Sequence, residues 1–131
     1  LMPARPTKAI LRIFRKRLEE EFCVIKCLGC GYSIRCKVKD VELSCPRCKS
    51  RLIACVSARR GVEDVSKSEL FRIANLVMAY GMKAVYAMNT YGVGVENASR
   101  ILGKYYPDED SFFRELMEAE KRFIRTRKFW D

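Results

Sequence analysis

The chain has 131 residues, of which 49% are hydrophobic and 32% charged, and its net charge is +10. This length and composition exclude a large multidomain enzyme and a disordered chain, and they fit one ordinary domain or two small modules. Histidine is absent, which excludes serine–histidine and cysteine–histidine catalysis and every metal site with a histidine ligand.

No apolar stretch approaches the twenty or so residues of a membrane-spanning helix, and the chain does not open with a secretory signal. We therefore expect a cytoplasmic protein. Leu1 in the first position suggests a fragment of a longer chain.

The positive charge is confined to the first half of the chain. Residues 1–60 hold 15 Lys and Arg against 5 Asp and Glu, whereas residues 61–131 hold 11 of each kind. A concentrated basic surface attracts polyanions, of which nucleic acid is the commonest inside a cell. We therefore expect nucleic acid as a partner, and a merely solvated basic surface is the alternative.

Residues 1–21 are predicted to form a basic amphipathic helix, and Thr7 can cap its start. Four apolar residues follow the helical period: Ile10, Ile13, Phe14 and Leu18. Four cations fall on roughly the opposite side: Lys8, Arg12, Arg15 and Lys16. The apolar stripe needs a partner, which is either the second module or sequence of the parent protein outside this fragment.

Four of the seven cysteines form two close pairs, Cys27 with Cys30 and Cys45 with Cys48. Two residues separate the cysteines within each pair, and fourteen residues separate the two pairs. This spacing indicates a four-cysteine structural zinc site. Gly29 or Gly31 can supply the positive φ of the first turn, and Pro46 stiffens the second. A redox dithiol and disulfides are the weaker alternatives. The βαβ pattern around a redox site is missing, and an odd number of cysteines does not fit a complete set of disulfides.

The residues around these cysteines are predicted to form a zinc ribbon over 22–57. Strand signals lie at Phe22 to Val24, at 32–39 and at 52–56, and the remaining cysteines Cys23, Cys36 and Cys55 are expected to be small buried residues. In the middle strand the apolar positions alternate with the cations Arg35, Lys37 and Lys39. These cations either contact phosphates or only keep an exposed strand from aggregating.

After a hinge at 59–62, residues 62–131 are predicted to be helical. Ser66 to Glu69 form a capping box, and further helices are expected at about 83–90, after Gly94 and at about 108–125. The last of these has an apolar face made by Phe112, Leu116, Ala119 and Phe123. The predicted fold class is thus α+β: a small antiparallel zinc ribbon with an N-terminal helix and a C-terminal helical module.

Residues 91–102 resemble the helix-hairpin-helix motif, which we place at 83–104. Gly92 can end one helix with a positive φ, the Val93 side chain packs into the core, and Gly94 lets the backbone approach another surface. The free amides from Val95 to Asn97 then lie at a helix N-terminus, where an anion is stabilised. The hairpin either holds a phosphate in this way or only packs against its neighbours.

The chain resembles the C-terminal region of archaeal large superfamily 2 helicases, of the large-helicase-related and Ski2-like kind. The resemblance is carried by the order of its parts, which are the basic helix, CLGCG, CPRCKSRLIA, the hairpin and the terminal RTRKFWD. The resemblance implies a non-motor accessory region of an ATP-dependent helicase, a hydrolase whose motor domains lie N-terminal to this fragment in the same parent chain. The motor motifs are not in this sequence, so the fragment alone is expected to have no catalytic residues and no ATPase activity.

In this interpretation the fragment holds the DNA or RNA backbone. The candidate contacts are Arg12, Arg15, Lys16, Arg35, Lys37, Lys39, Arg47, Lys49, Arg51 and the hairpin residues Gly92, Val93, Gly94, Val95 and Asn97. Tyr32 and Trp130 can stack on bases, although packing is the preferred role for both. The alternatives are a protein-docking module of the helicase, or the zinc and hairpin module of a DNA ligase or nuclease.

Overall fold

The computed structural model describes residues 6–126. It contains five helices and a three-stranded antiparallel sheet, which confirms the α+β class. In chain order the elements are α1 (Lys8–Glu20), β1 (Phe22–Cys27), β2 (Ser33–Lys37), a 3-10 turn (Val38–Asp40), β3 (Ile53–Ser57), α2 (Lys67–Tyr80), α3 (Met82–Thr90), α4 (Val95–Leu102) and α5 (Glu109–Thr126). Among the described residues, no helix is both long enough and apolar enough to span a membrane. Trp130 lies outside the described residues.

Helix α1 begins as predicted, because the Thr7 hydroxyl accepts a hydrogen bond from the amide of Ile10 at 3.2 Å. The predicted buried face was partly wrong. Leu11 is buried together with Phe14 and Leu18, whereas Ile13 is 70% exposed. Residues spaced three and four apart share a helix face, so a stripe through Phe14 and Leu18 passes through Leu11.

The buried face of α1 packs mainly on α5, and two ion pairs border this contact. Arg15 pairs with Glu109 at 2.9 Å, and Arg17 pairs with Glu120. The N-terminal helix is therefore covered by the C-terminal helix of the same chain.

The sheet has the order β2-β1-β3, with β1 antiparallel to both neighbours. In the register, Cys23 lies opposite Cys36 of β2, and Ile25 lies opposite Cys55 of β3. Strand β2 lies at one edge of the sheet and is largely exposed. Strand β3 is buried along its whole length because α2 and α3 pack against it.

The predicted boundary at 59–62 does not interrupt the core of the described residues. Buried apolar side chains run continuously from the sheet into the helices, with Val56, Ile73 and Leu116 all at 0% exposure. The two parts also meet through a polar seam. There Arg59 donates to the backbone carbonyl of Asn89, whose side-chain amide donates to Glu21 at 2.6 Å.

Candidate metal centre and cationic surface

Two turns bring the four paired cysteines together. The first cysteine turn, residues 27–31, follows β1 and is closed by a 2.9 Å bond from the Gly31 amide to the Cys27 carbonyl. Gly31 has a φ of 81°, so it is the glycine that supplies the left-handed conformation. The second cysteine turn, residues 45–51, is closed in the same way by the Lys49 amide on the Cys45 carbonyl. Lys49 itself has a φ of 66° there.

The four sulfur atoms form a compact cluster. The Cys27 and Cys48 sulfurs are 3.5 Å apart, the Cys30 and Cys45 sulfurs are 3.6 Å apart, and all four lie within 4.8 Å of one another. A tetrahedral ion about 2.3 Å from each of four thiolates sets its ligands about 3.8 Å apart. The predicted ligands Cys27, Cys30, Cys45 and Cys48 are therefore arranged so that they could hold a metal ion.

Backbone amides around the cluster favour the thiolate form of two of these cysteines. Burial alone would raise the pKa of Cys45, but hydrogen bonds from the amides of Cys48 and Arg47 outweigh it and lower this pKa to about 6. The pKa of Cys27 is also lowered, because amides of its own turn outweigh burial. Since a thiolate is the form that binds metal, these amides favour Cys27 and Cys45 as metal ligands.

The other three cysteines have a different environment. Cys23 and Cys55 are fully buried, as predicted, while Cys36 is only partly buried. The neighbouring Cys55 thiol and burial raise the pKa of Cys23 far above its ordinary value. Burial and the Cys23 thiol raise the pKa of Cys36 to about 11. Cys23 and Cys36 therefore stay protonated at neutral pH, and a thiol in that form is a poor nucleophile.

Several of the predicted phosphate contacts already have partners within the protein. Lys37 and Lys39 both form 2.9 Å ion pairs with Glu20 at the end of α1. Arg15 is paired with Glu19 and Glu109.

Two further arginines lie over aromatic rings. The Arg35 guanidinium is 4.4 Å from the centre of the Phe22 ring, and that of Arg47 is 5.6 Å from the Tyr32 ring. Both arginines remain exposed, and Tyr32 is partly covered. The strand cations Arg35, Lys37 and Lys39 are thus not equivalent, because two of them are held by a carboxylate.

The remaining predicted cations are exposed and make no ion pair within residues 6–126. They are Arg12 and Lys16, one turn apart on α1, and Lys49 and Arg51 on the second cysteine turn. With Arg47, the second cysteine turn presents three cations directly beside the sulfur cluster.

The glycine turn at 91–94 joins α3 and α4, at the positions where the sequence indicated helices. Gly92 has a φ of 74°, while the side chains of Val93 and Val95 are both 2% exposed. Gly94 and Asn97 are half-buried at the start of α4. Of the predicted hairpin contacts, the valines can therefore offer only backbone groups to a ligand.

An ion pair at this helix start was not predicted from the sequence. Arg72 of α2 contacts the Glu96 carboxylate at 2.7 Å, and this contact lowers the pKa of Glu96. Neither this pair nor the role of Glu20 has a local sequence signal, because the partners are many residues apart in the chain.

Comparison with protein-family models, with curated proteins and with solved structures found no match for this chain. The resemblance to superfamily 2 helicases depends on the sequence motifs alone.

Proposed function

We propose that this chain is a zinc-stabilised accessory region of an ATP-dependent helicase that binds the backbone of DNA or RNA. The observation that carries the proposal is the second cysteine turn, where Arg47, Lys49 and Arg51 are exposed around a four-thiol cluster. A turn fixed by a metal ion holds its backbone rigidly, so its cations lose little conformational freedom when they bind phosphates.

Zinc is the proposed ion because four thiolates in a closed tetrahedral set are typical of structural zinc. Cys27, Cys30, Cys45 and Cys48 would hold it, and it would supply folding free energy rather than chemistry. Metal analysis of protein purified without added metal should give one zinc per chain. A chain that instead carries iron, seen by its visible absorption, would contradict zinc while leaving the site in place.

The glycine turn is the second part of the proposed interface. The amides at the start of α4 would donate hydrogen bonds to a phosphate, as in a helix-hairpin-helix, and Asn97 lies beside them. The Arg72–Glu96 pair at this position must then open or shift, because Glu96 is negatively charged. We therefore expect the second cysteine turn to contribute more affinity than the glycine turn.

A protein-docking role is the second candidate. A cavity of about 150 Å³ lies beside the first cysteine turn, lined mainly by apolar residues that include Tyr32, Ile34 and Ile53. It adjoins the exposed edge strand β2, where a partner strand could add to the sheet. In this role the basic charge would be incidental.

Oligonucleotide binding as a function of salt separates these two roles. The zinc-loaded chain is titrated into fluorescein-labelled single strands and duplexes, with fluorescence anisotropy as the measurement. If four to six phosphates are neutralised, log affinity falls linearly with log salt at a slope of roughly −3 to −5, whatever the base sequence. Absence of binding at low salt would favour the docking role.

Two charge-matched variants locate the interface. The first combines Arg47→Gln, Lys49→Asn and Arg51→Gln, with asparagine chosen because it tolerates the positive φ of residue 49. It should flatten the salt slope by about two to three units. The control removes three exposed cations from the helices: Lys67→Gln, Lys121→Gln and Arg125→Gln. Equal losses in both variants would show that only net charge matters, and would overturn the proposed interface.

The helicase assignment has its own test. The gene upstream of the codon for Leu1 should encode the motor motifs of a superfamily 2 helicase. A nucleotidyltransferase domain in that position would make the chain part of a ligase instead, without changing the proposal about its nucleic-acid contacts.

A further inference from the structure

Helix α1 ends in three consecutive acids, Glu19, Glu20 and Glu21. A helix C-terminus carries partial negative charge, so acids there are unfavourable unless other groups compensate. Glu19 and Glu21 turn to the helical part of the protein, where they accept hydrogen bonds from Tyr86 at 2.9 Å and from Asn89 at 2.6 Å. Their positions are explained by packing between the two parts of the chain.

Glu20 has a different kind of partner. One of its carboxylate oxygens is 2.9 Å from the Lys37 ammonium and the other is 2.9 Å from the Lys39 ammonium. All three side chains are between 37% and 44% exposed, so the group lies open to solvent. The hydrogen bonds from Lys37 and Lys39 lower the pKa of Glu20 to about 2. Glu20 is therefore fully ionised at neutral pH.

We propose that Lys37 and Lys39 form a phosphate site for the nucleic-acid backbone, and that Glu20 fills this site when no nucleic acid is bound. The inference rests on the proposed function and names one of its contact points. A phosphodiester shares one negative charge between two oxygens on one centre, as a carboxylate does, so it can take the place of Glu20 between the same two ammonium groups. The lysines already converge on a single anion, and this arrangement is the preorganisation that such a site requires.

The exchange of Glu20 for a phosphate is accessible because the ion pairs are exposed. Exposed pairs are screened by salt and contribute little to stability, so opening them does not threaten the fold. Occupation of the site by Glu20 still lowers the affinity for nucleic acid, because the ligand can bind only to the fraction of molecules in which the lysines are free. Glu20 therefore acts as an internal competitor that weakens nonspecific binding.

The first experiment compares Glu20→Gln with a charge-matched control. Both Glu20→Gln and Glu42→Gln add one positive charge, but Glu42 is exposed and makes no ion pair within the described part of the chain. If Glu20 blocks the site most of the time, Glu20→Gln raises affinity for a labelled oligonucleotide at low salt by roughly fivefold. It also steepens the salt slope by about one unit, while Glu42→Gln changes both much less. Equal effects of the two variants would overturn the proposal.

The second experiment places Glu20→Gln in a chain that carries Lys37→Gln and Lys39→Gln. Without the lysines there is no site to unblock, so the substitution should no longer raise affinity. A gain of the same size in this background would show that Glu20 acts through general charge, and the inference would fail. Unfolding midpoints of all variants, measured by circular dichroism, exclude a change of fold as the cause.

The outcomes also distinguish the inference from the proposed function. If the wild-type chain binds oligonucleotides and Glu20→Gln binds no better than the control, the proposed function stands and the inference is wrong. If neither the wild-type chain nor Glu20→Gln binds, both are wrong. Binding by Glu20→Gln alone would support the internal competitor most directly.

Discussion

The cysteine-rich segment, residues 22–57, and the helical segment, residues 67–126, are stabilised in different ways. The helical segment buries aliphatic and aromatic side chains completely, among them Ile73, Met88 and Leu116 at 0% exposure. The cysteine-rich segment has a three-stranded sheet with one largely exposed strand, and its turns are joined by four sulfurs. A metal ion held by the four sulfurs would compensate for the smaller apolar core of the cysteine-rich segment.

Strand β3 of the cysteine-rich segment links the cores of the two segments. It pairs with β1 on one side and is covered by α2 and α3, so Ala54 and Val56 are fully buried. The two segments therefore differ in what stabilises them but share one core. Variants that disrupt one segment at a time test how independently the two segments are stabilised.

Loss of the metal should have the largest effect. A structural zinc ion contributes on the order of 10 to 16 kcal/mol in small domains, so Cys45→Ser or chelation should unfold the sheet. The helical segment should keep most of its helical circular dichroism signal but melt at a lower temperature, because α2 loses its contact with β3. The control is Cys36→Ser, which should retain the ion because Cys36 is outside the cluster. Full metal content and an unchanged melting temperature in Cys45→Ser would contradict the proposed site.

Truncation in the helical core should cost less and should leave the metal in place. Phe112 is 1% exposed and packs edge-to-face with Tyr106 and Phe113. Phe112→Ala should lower the free energy of unfolding by about 3 to 5 kcal/mol, measured by urea denaturation of the zinc-loaded protein. Phe71→Ala is the matched control, since Phe71 is 48% exposed. A loss below about 1 kcal/mol for Phe112→Ala would show that this core is not well packed.

Much of the fold was predictable because its signals are local. The two cysteine pairs, the capping box at Ser66 and the glycines near 92 each determine structure within a few residues. The helix expected at about 83–90 is Met82–Thr90, and the one expected at about 108–125 is Glu109–Thr126. The four cysteines were also predicted together, since their spacing alone indicates a shared ion.

The parts that were missed depend on distant partners. Helix α1 has five large apolar residues, and only packing against α5 selects Leu11 over Ile10 and Ile13 for the core. The strand cations look equivalent in the sequence, yet Glu20, 17 residues before Lys37, holds two of them. A pattern of alternating residues predicts which side chains share one face of a strand. It does not predict which charged residue from another element lies against that face.

The seam between the segments should have an intermediate effect. Asn89 is 0% exposed and donates to Glu21, while its backbone carbonyl accepts from Arg59. Asn89→Ala removes the side-chain bond and leaves the half-buried carboxylate with one partner fewer, which should cost about 1 to 3 kcal/mol. Asn75→Ala, at an exposed position of α2, should cost little. If both variants unfold at the wild-type urea concentration, the seam contributes nothing to joining the segments.

Glu21 should give the smallest effect, and the effect should depend on pH. Burial raises the pKa of its carboxyl group, and the positive charges of Arg59 and Arg17 oppose this only in part. The folded state therefore holds the proton more tightly than the unfolded state, and ionised Glu21 lowers stability at neutral pH. This cost decreases as the pH falls through the raised pKa and is lost below the ordinary value of 4.5. Glu21→Gln is neutral at every pH and can still accept the bond from Asn89.

The variant should consequently be more stable than the wild-type protein at pH 7, and the difference should shrink as the pH falls and vanish below pH 4.5. Urea unfolding of both proteins across this range is the measurement. Protonation of the thiolates at low pH affects both proteins alike, so it cancels in the difference. Glu20→Gln is the control, because Lys37 and Lys39 lower the pKa of Glu20 to about 2. The difference in unfolding free energy between this variant and the wild-type protein should therefore not change with pH above pH 5.5. A flat difference for Glu21→Gln over the whole range would contradict the raised pKa of this carboxyl group.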